Sequence, residues 1–191
     1  VTVLPGLALT LLLGVESPLL RPDSPEMNAR SPDSFRVRLE TTKGVATIEV
    51  VRAWAPIGTD RFYNLVRHGY YDGVRFHRVI EDRWAQFGIN GDPRISKLWR
   101  NRTLEDDPRK ESNRRGTIAY AFAVPKGRAT QVFINLKDNE KTHDPEGFAP
   151  FGRVVEGMNV IDALYAGYGE TSGGGIRARK QDPLFDGGNA Y

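Results

Sequence analysis

Residues 74–81, Val-Arg-Phe-His-Arg-Val-Ile-Glu, read as a strand that sets an arginine among apolar neighbours. With side chains alternating between faces, Val74, Phe76, Arg78 and Ile80 share one side, and Arg75, His77, Val79 and Glu81 the other. A guanidinium on an apolar face is expensive to desolvate unless a partner or water reaches it. The pattern leaves two readings of Arg78. It is a structural arginine, held by a carboxylate or with its head reaching solvent, or it is a cation set into a pocket. Gln86, Gln131 and Phe133 belong to strand-like or loop-like stretches that can line the same concavity. An apolar floor with a few amides and one cation suits a small apolar group next to a peptide bond.

Other chemistry is poorly supported. His68, His77 and His143 lack metal-ligand spacing, and the chain has no cysteine to complete a site. No G-x-S-x-G elbow and no phosphate-binding glycine loop is present. No metal and no cofactor is expected. The Ser-Gly-Gly-Gly at 172–175 reads as a flexible turn, and Glu105-Asp106-Asp107 as a solvated acidic loop. His77 neighbours Arg78 but points to the other strand face, which suits packing better than proton transfer.

The elements that must position these residues are mostly short strands. "FRVRLETTKGVATIEV" alternates on both sides of Lys43-Gly44, as a hairpin does. "APIGTDRFYNLVRHG" reads as a helix with Pro56 or Thr59 at its start and Gly69 as its stop. After the Arg78 strand comes a loop-rich stretch, 88–115. Strands then follow in "GTIAYAFAV", "TQVFINL" and "FAPFGRVV". "GMNVIDALYAGYG" predicts a second short helix, with Ile161, Leu164 and Tyr165 on one side and Gly167 ending it. Many short strands with two helices point to a barrel or a sandwich. A closed barrel leaves no exposed edge, but the pattern does not separate the two.

The chain has 191 residues, 39% of them hydrophobic and 27% charged, enough for one globular domain with an appendage. A net charge of +3 raises nucleic-acid binding, but the basic residues are scattered among acids, as in "EDDPRKESNRRG", and imply a solvated surface. No nucleic-acid partner is expected. Residues 1–14, "VTVLPGLALTLLLG", are too few for a membrane span. They match the apolar core of an export signal, although a positive leading region and an A-x-A site are missing. The Pro-, Ser- and charge-rich 15–34 reads as a linker and 35–191 as the domain, located in the periplasm or outside the cell, or in the cytoplasm if 1–14 is instead a strand or helix of the domain and not a signal.

Five stretches resemble the cyclophilins, a family of peptidyl-prolyl cis–trans isomerases: "FYNLVRHGYYDGVRFHRVI", "AQFGINGDP", "ESNRRGTIAYAFA", "TQVFINLKDN" and "GFAPFGRVVEGMNVIDAL". The resemblance covers 35–168 in order and spacing, and the "QFGINGDP" loop is similar to a bacterial branch. It implies an all-β dominated fold, an eight-stranded antiparallel closed β-barrel capped by two α-helices. It also implies a monomer acting on proline-containing polypeptides. Arg78 matches the family's catalytic arginine, Gln86 the glutamine that binds a substrate carbonyl, and Phe133 the floor of the proline pocket. Ala121 and Gln131 match lining positions. The rim departs from the family pattern. Arg83 stands for phenylalanine, Trp84 for methionine, Phe122 for asparagine and Phe148 for histidine, and Thr142-His143 for a Trp-Leu pair. In the family that tryptophan binds cyclosporin. An altered rim also admits a second reading, a catalytically weak module that holds proline-containing segments.

Overall fold

A computed structural model describes residues 17–168 and 181–191. The hairpin forms as expected. β1 (Ser34–Thr41) pairs antiparallel with β2 (Gly44–Val51), the turn relying on Gly44 at φ 130°. α1 (Pro56–Arg67) begins with proline at its first turn and ends just before Gly69. Then follow β3 (Arg78–Ile80), β4 (Trp84–Phe87), α2 (Pro93–Arg100), β5 (Thr117–Tyr120) and β6 (Val132–Asn135). The last elements are α3 (Glu140–His143), β7 (Pro150–Glu156), α4 (Met158–Asp162) and α5 (Asp182–Gly187).

The strands form one antiparallel sheet in the order β1-β2-β7-β5-β6-β4-β3. Among the described residues it has seven strands rather than the expected eight, and its edges, β1 and β3, do not close by hydrogen bonds. The short β3 limits closure, because the extended run before Arg78 makes no ladder. One sheet face carries Ile48, Val50, Phe87, Ile118, Tyr120, Val132 and Ile134, which pack with Phe62 of α1 and Phe151 into the main core. Phe62 meets Phe151 with ring centroids 4.9 Å apart.

Four sequence expectations are corrected. First, five α-helical segments are present among the described residues, not two. The stretch 88–115 contains α2, started by the Asp92 side chain accepting from Arg94 N at 2.8 Å and by Pro93. Second, the helix predicted in 157–167 is a single turn, and Tyr165 is exposed rather than packed beside Ile161. Third, the segment read as linker is packed against the domain over residues 17–33. Leu19 and Met27 join Leu65, Tyr70 and Trp99 in a second apolar cluster, and Trp99 Nε1 donates to the Leu19 carbonyl at 2.8 Å. Polar contacts add to these apolar anchors, with Ser31 N donating to Asp60 Oδ1 at 2.9 Å and Asn64 Nδ2 to the Ala29 carbonyl at 2.7 Å. Fourth, Asp107 is not solvated. Its carboxylate accepts from Ile57 N at 3.0 Å, Gly58 N at 2.8 Å and Arg128 Nη1 at 2.9 Å. α1 starts after Ala55, which has no capping side chain, so an aspartate from another loop satisfies its first amides. Residues 1–14, read as an export signal, and the Ser-Gly-Gly-Gly at 172–175, read as a turn, lie outside the described residues. No helix among the described residues is long and apolar enough to cross a membrane.

Candidate active site

β3, β4, β6 and β5 lie side by side, and their register stacks the predicted residues in one row. Arg78 is opposite Gln86, Gln86 opposite Phe133, and Phe133 opposite Ala119. Directly opposed residues share a face, and Trp84, two positions before Gln86, joins them. The adjacent row, Val79, Ala85, Ile134 and Ile118, points into the core. The core side of β3 is therefore Val79's side, and Arg78 faces away from it. Phe76 precedes the ladder and packs its ring on Phe87 at 4.7 Å, so the alternation read from Val74 onward does not run unbroken into β3. That break is why the sequence set an arginine among core residues.

An open cavity of about 820 Å³ lies over the Arg78 row and is lined by all ten residues singled out from the sequence. Arg78 comes from β3, Arg83 from the β3–β4 turn, Trp84 and Gln86 from β4, and Phe133 from β6. Ala121 and Phe122 follow β5, Gln131 precedes β6, His143 ends α3, and Phe148 lies in the loop before β7. The sharp turn that brings β4 back over β3 is tightened by Arg83 N donating to the Ile80 carbonyl at 3.0 Å. It includes Asp82 at φ 53°, a conformation aspartate tolerates better than most residues.

The polar side of the floor is a directed chain. Arg78 Nη1 donates to Gln86 Oε1 at 3.1 Å, Gln86 Nε2 to Gln131 Oε1 at 2.8 Å, and Gln131 Nε2 to Gln181 Oε1 at 2.9 Å. The Arg78 guanidinium also sits 4.8 Å from the Trp84 ring, and that of Arg83 5.4 Å from the same ring. Arg78 is thus oriented by a hydrogen bond and by an aromatic face.

The apolar side is an aromatic wall. Phe133, 4% exposed, meets His143 and Phe148 edge-on at 5.2 and 5.3 Å. Phe148 packs on Phe122 at 4.5 Å, so two of the rim departures from the family pattern touch each other. Burial pushes the His143 imidazole below its ordinary value, and it stands neutral at neutral pH. His77, just before β3, is buried and bonds the Gln131 side chain, and burial pushes its imidazole down to about 4.

Asparagines hold the rim to the sheet. Asn139 Nδ2 donates to the Arg83 carbonyl and to Asn135 Oδ1, both at 2.8 Å, while the Asn139 carbonyl accepts from His143 N at 2.8 Å. Asn113 Nδ2 donates to the Phe148 carbonyl at 2.8 Å and to Asp144 Oδ1 at 2.9 Å. At the far end of β4, Gly88 adopts φ 114°, and a Cβ there would lie 2.4 Å from the Thr130 carbonyl. That close approach sets Gln131 beside Gln86. Sequence reasoning missed Asn139 and Gln181. A turn-type asparagine in "LKDNE" was a faint sign of the first, and nothing in the tail marked the second.

The cyclophilin-type peptidyl-prolyl cis-trans isomerase family model matches residues 36–183. A peptidyl-prolyl cis-trans isomerase of Streptomyces antibioticus is 36% identical over 139 residues, 67% of this chain and 81% of that protein. One from Acinetobacter baylyi is 32% identical over 142 residues, 72% of this chain and 76% of the relative. Among solved structures, a Cryptosporidium parvum cyclophilin matches with a TM-score of 0.58 at 22% identity, covering 69% of this chain and 86% of its own. A Hirschia baltica cyclophilin matches with a TM-score of 0.59 at 20% identity, covering 76% and 73%. Those structures support the fold, and the family model with the bacterial relatives supports the family. The chain, with its arginine, glutamine and phenylalanine aligned beneath one cavity, belongs to the cyclophilin-type peptidyl-prolyl cis–trans isomerases.

Proposed function

We propose that Arg78, Gln86 and Phe133 are the working floor of this isomerase and that it accelerates rotation about X-Pro bonds in unfolded or flexible polypeptides. An X-Pro bond turns slowly because amide resonance imposes a barrier of roughly 20 kcal/mol. Twisting it breaks the resonance and leaves the proline nitrogen pyramidal, with a lone pair. A guanidinium N–H aimed at that nitrogen bonds the twisted state and not the planar ones, so it lowers the barrier. Phe133 offers the apolar surface for the proline ring, and Gln86 orients Arg78 while presenting its amide beside the substrate backbone. The reaction is a rotation and needs no nucleophile.

The observation that carries this reading is the single row of Arg78, Gln86 and Phe133 across three neighbouring strands, on the face that lines the cavity. A protease-coupled assay on a proline-containing peptide tests it. Arg78→Ala should lower kcat/KM at least ten-fold, about 1.4 kcal/mol of transition-state stabilisation, with the fold intact by circular dichroism. Arg78→Lys should rescue poorly, because it lacks the planar fork. A folded alanine variant at the parental rate would refute the assignment. The apolar 1–14 segment supports a separate proposal, that the chain is exported. Fractionating cells and sequencing the mature N-terminus checks it, and an intact chain confined to the cytoplasm would overturn it.

A further inference from the structure

The chain of amides under the cavity does not end at the sheet. Its last member, Gln181, is 1% exposed and stands just before α5, far along the sequence from the strands it serves. α5 is fastened from outside the site. Arg100 Nη2 bonds Asp182 Oδ1 at 2.7 Å, and the Arg100 guanidinium lies 4.3 Å from the ring of buried Phe185. Beyond α5, Asn189 N donates to the Gly91 carbonyl at 3.1 Å, and Asn189 Nδ2 to the Gly73 carbonyl at 3.0 Å. Arg75 Nη2 reaches the Asn189 carbonyl at 2.8 Å. The tail is thereby tied to both chain segments that flank β3 and β4.

We infer that Gln181 is a positioning residue for catalysis, its side-chain carbonyl fixing the direction of the Gln131 and Gln86 amides and through them the Arg78 guanidinium. The inference rests on the assignment of Arg78 given above. A guanidinium only donates, whereas each glutamine amide offers an acceptor at one end and a donor at the other. Arg78 therefore demands Oε1 of Gln86, which turns Gln86 Nε2 to Gln131 Oε1 and leaves Gln131 Nε2 needing an acceptor. Gln181 Oε1 supplies it at 2.9 Å. Gln86, Gln131 and Gln181 are 5%, 7% and 1% exposed, so bulk water is a poor substitute. Without that terminal acceptor, the Gln131 amide answers to the buried His77 imidazole, the other side chain that bonds it, and a neutral imidazole that can present a donor or an acceptor no longer selects one amide direction. Rotation would set two NH₂ groups against each other at the Gln86 contact and weaken the hold on Arg78. A donor at one end and an acceptor at the other select one of the possible amide arrangements.

Gln181→Met keeps the approximate shape and removes the acceptor, and Gln181→Glu keeps an acceptor in either protonation state. Methionine should lower kcat at least three-fold with KM within two-fold of the parent, and glutamate should return kcat to within two-fold. In a Gln131→Met background, Gln181→Met should have no further effect on kcat. A folded Gln181→Met variant at the parental kcat, a glutamate variant as impaired as the methionine one, or additive effects in the double variant would overturn the inference. Arg78→Ala assayed alongside separates the two levels. If it alone is parent-like, the site assignment fails, whereas if it is impaired and Gln181→Met is not, only the positioning role fails. NMR of the parent protein gives a readout that depends on no variant folding. The two Gln131 Nε2 protons should resolve and exchange at least ten-fold more slowly than those of a solvated glutamine, and solvent-like exchange would refute the bond.

Discussion

Asp107→Ala probes a buried ion pair that also holds the start of α1. The Asp107 side chain is fully buried and its Arg128 partner 3% exposed, with 2.9 Å between carboxylate and guanidinium. The same carboxylate holds Ile57 N and Gly58 N at the start of α1. Removing it leaves two helix amides without their acceptor and a buried guanidinium with only the Glu105 carbonyl and Asp106, 3.3 Å away and 41% exposed. Breaking a buried ion pair by deleting one partner costs about 3–5 kcal/mol, counted here for the pair alone. At about 2–4 °C per kcal/mol for a domain of this size, Tm should fall by about 6–20 °C. Asp107→Asn keeps one acceptor and should cost less. Replacing both partners, as in Asp107→Leu with Arg128→Met, should recover stability relative to the single alanine variant, because no charge is then stranded. Urea unfolding followed by circular dichroism measures all three, and isomerase activity of the folded fraction should be unchanged because Asp107 does not line the cavity. An alanine variant within about 0.5 kcal/mol of the parent, the range of an ordinary surface change, would refute the reasoning.

His77, with an ordinary value of 6.5 pushed down to about 4 by burial, makes stability pH-dependent. The unfolded chain binds the proton first, so the contribution is complete above about pH 6.5 and lost as pH falls toward 4, on the order of 3 kcal/mol in all. His77→Gln should flatten the pH dependence of the urea midpoint over that window, and parallel profiles for parent and variant would count against it. Met27, 1% exposed in the second cluster, should lose about 2–5 kcal/mol on Met27→Ala. Truncation to Ser34 should destabilise at least as much, whereas an equally stable truncated protein would return residues 17–33 to the status of linker. Cyclosporin should inhibit at least ten-fold more weakly than it inhibits a relative with a tryptophan at the groove edge, since that edge offers Thr142 and His143 and the Trp84 Nε1 is buried. Nanomolar inhibition in a titration of the purified protein would refute that.

Local chemistry by itself determined the hairpin at Lys43-Gly44 and the span of α1 between Pro56 and Gly69. These follow from φ preferences and from a two- or 3.6-residue period, which act within a few residues. The resemblance to the family pointed to ten of the residues that line the cavity, by their places in its motifs, even where the residue type departs from the family pattern. Tertiary structure decided which face Arg78 takes, since a strand's usable alternation begins where its ladder begins, and the ladder depends on β4. It also decided the fate of single polar or apolar residues in stretches of contrary character. Asp107 is buried because α1, about fifty positions earlier, lacks a cap of its own. Leu19 and Met27 are buried because Tyr70 and Trp99 leave an apolar surface for them. Gln181 reaches the cavity floor because α2 and Gly91 anchor the tail beside it. In each case the free energy comes from a partner distant in sequence, so no window of neighbouring residues contains the information.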